Sequence, residues 1–148
     1  MIAVATSRII DALGTAGLLV STPDNLPAEI SGLVDDSRRV ISGSLFVAVQ
    51  GYAQDGHNWL PQAAASGATC AIVEDAARTT LPAIVVRDGR RAAAVASAAF
   101  YDWPARALQL VGVTGTNGKT TTVGLLRHLL DSPSQPSASI GTLGVLLG

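Results

Sequence analysis

The sequence predicts an α/β protein in two parts: a small N-terminal α/β domain over residues 1–107, then the start of a second α/β domain of the P-loop type over residues 108–148. Three observations predict it. Short apolar runs such as Leu45–Val49 alternate with helical stretches such as Asp55–Ser66, the pattern of strands joined by crossover helices. Hydrophobic residues make up 48% of the chain and charged residues 14%, enough to bury a core and too few charges for general disorder. A turn with two glycines and a lysine, Gly115–Thr121, separates a further apolar run from a further helical one.

Taken in order, Ile9, Ile10, Leu13 and Leu18 recur at loosely helical spacing, and the turn-rich stretch Ser21–Pro27 ends that element. Ile30–Asp36 reads as a strand, followed by a turn at Ser42–Gly43 and a strong strand at Leu45–Val49. Asp55–Ser66 reads as a helix, capped by Asp55 and stopped by Gly67. Ala71–Glu74, within the apolar stretch Ala68–Val73, and Ala83–Arg87 read as further strands. Asp88 caps an alanine-rich helix reaching about Tyr101, closed by Pro104. In the second part, Leu108–Thr114 has a buried-strand pattern, and Asn117–Leu130 reads as a helix with Val123, Leu126 and Leu130 on one face. Asp131–Ser139 is a Pro/Ser loop, and Gly141–Gly148 is strand-like without a visible partner.

Composition narrows the function classes. The formal net charge of −1 and the scatter of basic residues argue against a nucleic-acid or anionic-membrane surface. No apolar run approaches the roughly 20 residues of a bilayer span, and Met1 opens no leader-like pattern, so a soluble cytoplasmic protein is expected. Cys70 is the sole cysteine; it forms no intrachain disulfide and reads as inert core packing. His57 and His128 lack a second ligand at metal spacing, so His57 reads as a surface residue at a helix start and His128 as a solvated helix residue. Trp59 and Trp103 read as packing residues. From residue types alone, Asp36–Arg38 is a turn with a surface ion pair of little energetic value.

The motif carrying chemistry is Gly115, Thr116, Asn117, Gly118, Lys119, Thr120 and Thr121. Backbone N–H groups at a helix N-terminus point at a phosphate, and the helix dipole favours its charge. Gly115 and Gly118 permit positive φ and close backbone approach. Lys119 would reach the β- and γ-phosphates and the Thr120 hydroxyl would ligate Mg²⁺. The strict pattern Gly-x-x-x-x-Gly-Lys-Ser/Thr is not met, because Val113 occupies the first glycine position.

Val111–Thr122 (VGVTGTNGKTTT) closely resembles the ATP loop of the Mur ligases, which use TGTNGKT and so account for Val113. Folylpolyglutamate synthetases usually read GTNGKG, and cyanophycin synthetases carry a similar loop, so the loop alone leaves the family open. Asp35–Glu74 resembles the N-terminal domain of the MurE and MurF branches in Asp36–Arg38, Gly43–Ala48, Gly51–Gly56 and Ala64–Ala68. Thr116 and the GTLG of Gly141–Gly144 favour MurE. The resemblance covers about residues 30–148.

That resemblance implies a peptidoglycan-precursor ligase, using ATP and Mg²⁺ to add meso-diaminopimelate or L-lysine to UDP-N-acetylmuramoyl-L-alanyl-D-glutamate through an acyl phosphate. It implies that the first domain binds the UDP part of the substrate, with Ser37 on the family's uridine-diphosphate serine and Tyr52, Ala53 and Gln54 on the nucleotide-contacting loop. Asp35 stands where relatives often carry an apolar residue near the uracil. It further implies ATP binding by Gly115–Thr121, Mg²⁺ at Thr120, and Lys119 as the one catalytic candidate in this chain. The remaining catalytic groups belong to the family's central and C-terminal domains, so the chain alone is expected to be inactive. A non-catalytic UDP-sugar-binding module and a MurF-type ligase fragment stay open as alternatives.

Overall fold

The computed structural model describes residues 3–51 and 54–147, and the chain divides into two compact units, Met1–Ala107 and Leu108–Gly148. The first unit is built on a five-stranded sheet in the order Leu19–Ser21, Ala83–Val86, Ala68–Val73, Ser44–Val47 and Gly32–Val34. Strands β4 (Gly32–Val34), β5 (Ser44–Val47), β6 (Ala68–Val73) and β7 (Ala83–Val86) run parallel, and β2 (Leu19–Ser21) closes one edge antiparallel to β7. Parallel strands are stable when both sheet faces are covered, and here both are. Leu45, Val47, Cys70, Ile72, Ile84 and Val86 pack on one side with α1 (Thr6–Thr15) and α3 (Gly89–Phe100). Phe46, Ala48, Ala71 and Val73 pack on the other with Leu60 and Ala63 of α2 (Leu60–Ala65).

Alternation along β5 explains the two layers, since successive side chains leave a strand on opposite faces. The side chains of α1 and α3 facing each other are chosen for close approach. Ile9 and Leu13 of α1 meet the small Ala92, Ala96 and Ala99 of α3, all fully buried. Asp88 caps α3 by accepting from Arg91 N at 2.9 Å, as its position predicts. The helix ends before Pro104, at Asp102 and Trp103, which both take positive φ.

Three first-unit elements differ from expectation. Leu18 leaves the N-terminal helix, and Leu19–Ser21 forms β2, held by Arg87 N donating to Leu18 O at 2.9 Å. A three-residue edge strand is too short to show a period, so turn signals dominate that stretch. The predicted strand Ile30–Asp36 divides at Ser31: β3 (Glu29–Ile30) pairs antiparallel with β1 (Val4–Ala5), whereas β4 joins the main sheet. Ser31 is tied to the Ser42–Gly43 turn, donating through Oγ to Ser42 O and through N to Gly43 O, and this pulls the chain from one sheet to the other. The predicted helix Asp55–Ser66 begins as a 3-10 turn, Gly56–Trp59, before α2; Asp55 caps it and Gly67, at φ +104°, ends it.

The second unit contains α4 (Lys119–Leu130) and a hairpin of β8 (Ala138–Gly141) and β9 (Gly144–Leu147). Leu108–Thr114 is not a strand. Among the described residues nothing pairs with it, and Leu108, Leu110 and Val111 are 61–71% exposed; without a ladder an apolar run has no reason to extend. Gly141 closes β8 and Gly144, at φ +85°, opens β9, with the turn at Thr142 and Leu143 between them; Ala138 and Ser139, expected in the Pro/Ser loop, belong instead to β8, the partner for β9 that the sequence did not reveal. On α4, Val123 and Leu126 are half-buried, but Leu130 is exposed.

The two units therefore differ in how much apolar surface they cover. Leu13→Ala is expected to cost about 3 kcal/mol in urea unfolding of the first unit, because it empties a fully buried site. Leu129→Ala, at a 76% exposed position, is expected to change stability by less than about 0.5 kcal/mol.

Candidate functional site

In an open parallel sheet the loops beyond the carboxyl ends of the strands form the natural ligand edge. Here that edge collects residues following four strands: Asp35–Ser37 after β4, the loop 48–55 after β5, Glu74 after β6, and Arg87–Gly89 after β7.

After β4, Asp36 caps the 3-10 turn Ser37–Arg39 by accepting from Arg38 N at 3.0 Å. The Arg38 guanidinium lies against the same carboxylate, Nε donating to Oδ1 at 2.9 Å and Nη2 to Oδ2 at 2.7 Å, the planar two-point geometry that arginine favours. The Arg38 hydrogen bond, followed by the Arg38 backbone N–H, pulls the Asp36 carboxyl down to about 2. The residue-type reading of an ion-paired turn describes this pair. Between its members, Ser37 is turned inward and buried, and its Oγ donates to Gln62 Oε1 at 3.0 Å. Gln62 lies on α2, 25 positions away, and no local pattern in the sequence points to it. Asp35 is exposed at the same edge.

After β5 the chain makes a narrow two-stranded excursion. Gln50 and Asp55 face each other across an antiparallel bridge, Gly51 N donates to Gln54 O at 2.9 Å, and Gly56 N donates to Val49 O at 2.9 Å. A Cβ on Gly56 would lie 2.7 Å from Val49 O, so glycine is required for this approach. Gln54 is exposed near the tip, and Tyr52 and Ala53 lie outside the described residues. Ser37 and Gln54 thus share one edge of the first unit.

His57 is not a surface residue. It starts the 3-10 turn as predicted, but its side chain is buried, with Nδ1 2.7 Å from Asp55 Oδ1 and Nε2 accepting from Glu74 N at 3.4 Å. A backbone N–H can only donate, so Nε2 is the bare nitrogen and Nδ1 carries the proton to Asp55. Asp55 also receives Arg78 Nη1 at 2.6 Å, and this bond, with the His57 backbone and ring, holds its carboxyl well below the usual carboxylate range. Trp59, read as packing, is instead 44% exposed, whereas Trp103 packs against the core with the Arg106 guanidinium 4.6 Å over its ring. Burial pushes the Cys70 thiol up to about 12, in keeping with inert packing.

In the second unit, Gly115 (φ +144°) and Gly118 (φ +77°) bend the chain into α4, whose N-cap, Gly118, offers no side chain to the first-turn amides. Those amides are left free for an anion, and α4 carries Arg127 and His128 in its last turn, which complements its dipole. Gly118 sits at φ +77°, a conformation that side chains disfavour, so the turn into α4 calls for glycine there. Lys119 is not extended towards solvent: its Nζ donates to Gly115 O, and to Thr116 O at 3.2 Å. Thr120 Oγ1 lies 3.5 Å from Thr142 Oγ1, so hydroxyl oxygens suited to a hard cation stand together beside the loop. Thr116, Asn117 and Thr121 are exposed, as is His128. Among the described residues no three His, Cys, Asp or Glu side chains are grouped as a metal site.

Comparison with known proteins gives a consistent result. The family described as Mur ligase family, catalytic domain, matches residues 29–106, which includes Ser37 and the loop 48–55 and ends before Gly115. The chain is 41% identical over 120 residues to the UDP-N-acetylmuramoyl-L-alanyl-D-glutamate–2,6-diaminopimelate ligase of Geobacillus kaustophilus, covering 81% of this chain and 24% of that protein. It is 44% identical over 123 residues to the UDP-N-acetylmuramyl-tripeptide synthetase of a Roseiflexus species, again covering 81% and 24%. The chain thus spans about a quarter of the length of the curated relatives it matches. Among solved structures it resembles MurF from Acinetobacter baumannii (TM-score 0.66, 30% identity, 88% of this chain and 28% of that one). It also resembles MurF from Thermotoga maritima in complex with ADP (TM-score 0.51, 31% identity, 66% and 22%).

The Asp36–Arg38 geometry sets a titration. A carboxyl whose folded value lies below its unfolded one stabilises the fold above the unfolded value, and loses that contribution as pH falls through the folded one. An NMR titration of the Asp36 carboxyl is expected to show a midpoint at about 2, rising in Arg38→Ala but staying below the ordinary carboxylate value, because the backbone N–H at position 38 still donates to Asp36.

Proposed function

This chain belongs to the Mur ligase family, and we propose that its parent reaction is of the MurE type: ATP-dependent addition of a diamino acid, meso-diaminopimelate or L-lysine, to UDP-N-acetylmuramoyl-L-alanyl-D-glutamate. The observation that carries this reading is the identity of about 40% over 120 residues to ligases named for that addition, in a chain whose phosphate loop reads Thr-Gly-Thr-Asn-Gly-Lys-Thr. The solved MurF structures support the shared fold, but at 30% identity they weigh less on substrate.

In this reading residues 1–107 bind the UDP portion of the substrate and residues 108–148 open the ATP-binding domain. Ser37, Gln54 and, in the same loop, Tyr52 and Ala53 contact the nucleotide; Ser37 has its hydroxyl proton committed to Gln62, which leaves its lone pairs for a donor on the ligand. The amides of Gly115–Thr121 hold the ATP phosphates, and Lys119 leaves the Gly115 and Thr116 carbonyls to neutralise charge on the transferred phosphoryl group. Thr120 would hold Mg²⁺, which would supply charge neutralisation on the ATP phosphates. The γ-phosphoryl passes to the substrate's terminal carboxylate, the amine attacks the acyl phosphate, and phosphate leaves. Groups completing that reaction belong to the family's central and C-terminal domains, so we propose no ligase activity for these residues alone. Among the described residues no helix is long and apolar enough to cross a membrane, and a cytoplasmic site of action suits a nucleotide-sugar substrate and ATP.

Calorimetry tests the two halves separately. Lys119→Ala is expected to weaken Mg·ATP binding about tenfold or more while leaving UDP-N-acetylmuramoyl dipeptide affinity unchanged, and Ser37→Ala to do the reverse by about fivefold. A wild-type chain that ignores the UDP substrate would contradict the first assignment; ATP affinity indifferent to Lys119→Ala would contradict the second. A MurF-type fragment would prefer the UDP-muramoyl tripeptide over the dipeptide, and a non-catalytic module would bind the UDP ligand but not Mg·ATP.

A further inference from the structure

Gln50 and Asp55, the bridged pair that follows β5, are held from three directions, and the buried His57 stands beside them. Its ring gives Nδ1–H to Asp55 at the end of the loop and takes Glu74 N at the end of β6. Glu74 in turn accepts Gly89 N, at the start of α3, through Oε1 at 2.6 Å. Arg78, on the connection between β6 and β7, closes on the other oxygen of Asp55 and reaches Asn58 Oδ1 at 3.2 Å. From α3, Arg90 Nη2 donates to Gln50 O at 3.2 Å, at the opposite end of the loop.

A histidine buried for packing alone needs one partner for each nitrogen from any convenient group. Here the partners come from two separate strand-to-helix connections at the carboxyl edge, and Asp55 is ionised by design of its surroundings. Charge-assisted hydrogen bonds are about twice as strong as neutral ones, so these tethers outweigh the single backbone bond from Gly51 N to Gln54 O that shapes the loop tip. A loop fixed before its ligand arrives avoids the ordering cost that binding would otherwise carry.

We propose that His57 is a positioning residue for the carboxyl edge, acting through its bonds to Asp55 and Glu74 to hold Asp55, and with it the paired Gln50, Gly51 and Gln54, where uridine diphosphate would meet them. The assignment rests on reading that edge as the nucleotide site. His57 touches no ligand; its effect on affinity passes through the backbone of the loop.

The test is calorimetric titration of the full chain with uridine diphosphate, with amide exchange at Gly51 and Gly56 followed in parallel. His57→Ala is expected to weaken binding about tenfold and to speed exchange at both glycines. His57→Asn, whose side-chain N–H stands close to the position of Nδ1, is expected to recover most of the affinity. Arg78→Ala changes a half-exposed side chain and leaves no cavity; it is expected to weaken binding about threefold, and decides the matter if His57→Ala fails to fold. Unchanged affinity for uridine diphosphate in folded His57→Ala or in Arg78→Ala overturns the positioning role while the nucleotide-site reading stands. No binding by the unmodified chain overturns that reading, and the positioning role with it.

Discussion

Strand β5 is buried on both faces, and the rest of the first unit follows from that constraint. Leu45 and Val47 enter the layer under α1 and α3, and Phe46 and Ala48 enter the layer over α2. A strand committed to two cores cannot shift register by one residue without sending every side chain into the wrong layer. Leu45, Phe46 and Val47 are each worth about 1.5–3 kcal/mol on burial, so the register is heavily favoured. With the register fixed, the carboxyl ends of β4, β5, β6 and β7 fall along one edge, and polar residues can be placed there without disturbing the core. Ser37 and Glu74 follow closely on β4 and β6, and Gln54 and Asp55 lie in the connection that leaves β5.

The second unit works by a different principle. The Gly115–Thr121 loop depends on backbone conformation rather than on a deep core, with Gly115 and Gly118 in conformations that side chains disfavour and α4 presenting uncapped amides. Leu125, Leu129, Ile140 and Leu147 remain exposed around it. The loop's electrostatics come from peptide dipoles and one lysine, and both are in place without tertiary burial. This is why the loop is recognisable from a dozen residues, whereas the first unit is recognisable only as a pattern spread over about forty.

Legibility followed the range of the interactions involved. Strands β5, β6 and β7 and helices α3 and α4 were readable because apolar periodicity and caps such as Asp88 are local signals. The division at Ser31 was not, because it depends on hydrogen bonds to a turn 11 positions away. Leu108–Thr114 carried a strand's apolar pattern, but pattern specifies what a segment can bury and not whether a partner strand is present. The candidate residues were found by motif resemblance, and what motif reading missed was their support. Gln62 behind Ser37, and Glu74 and Arg78 around Asp55, are ordinary surface-type residues by local criteria. His57 was misplaced for the same reason: its burial is created by β6 and the β6–β7 connection, both more than ten residues downstream.

The central claim is that the carboxyl edge of the first unit receives a uridine nucleotide. Amide chemical-shift mapping of the chain during addition of uridine diphosphate tests it most directly. The account predicts that the largest shifts cluster at Ser37, Gly51, Gln54 and Asp55, with Gly115–Thr121 little affected at the concentrations that saturate the first unit. Shifts confined to Gly115–Thr121, or absent from the edge of the sheet, would contradict it.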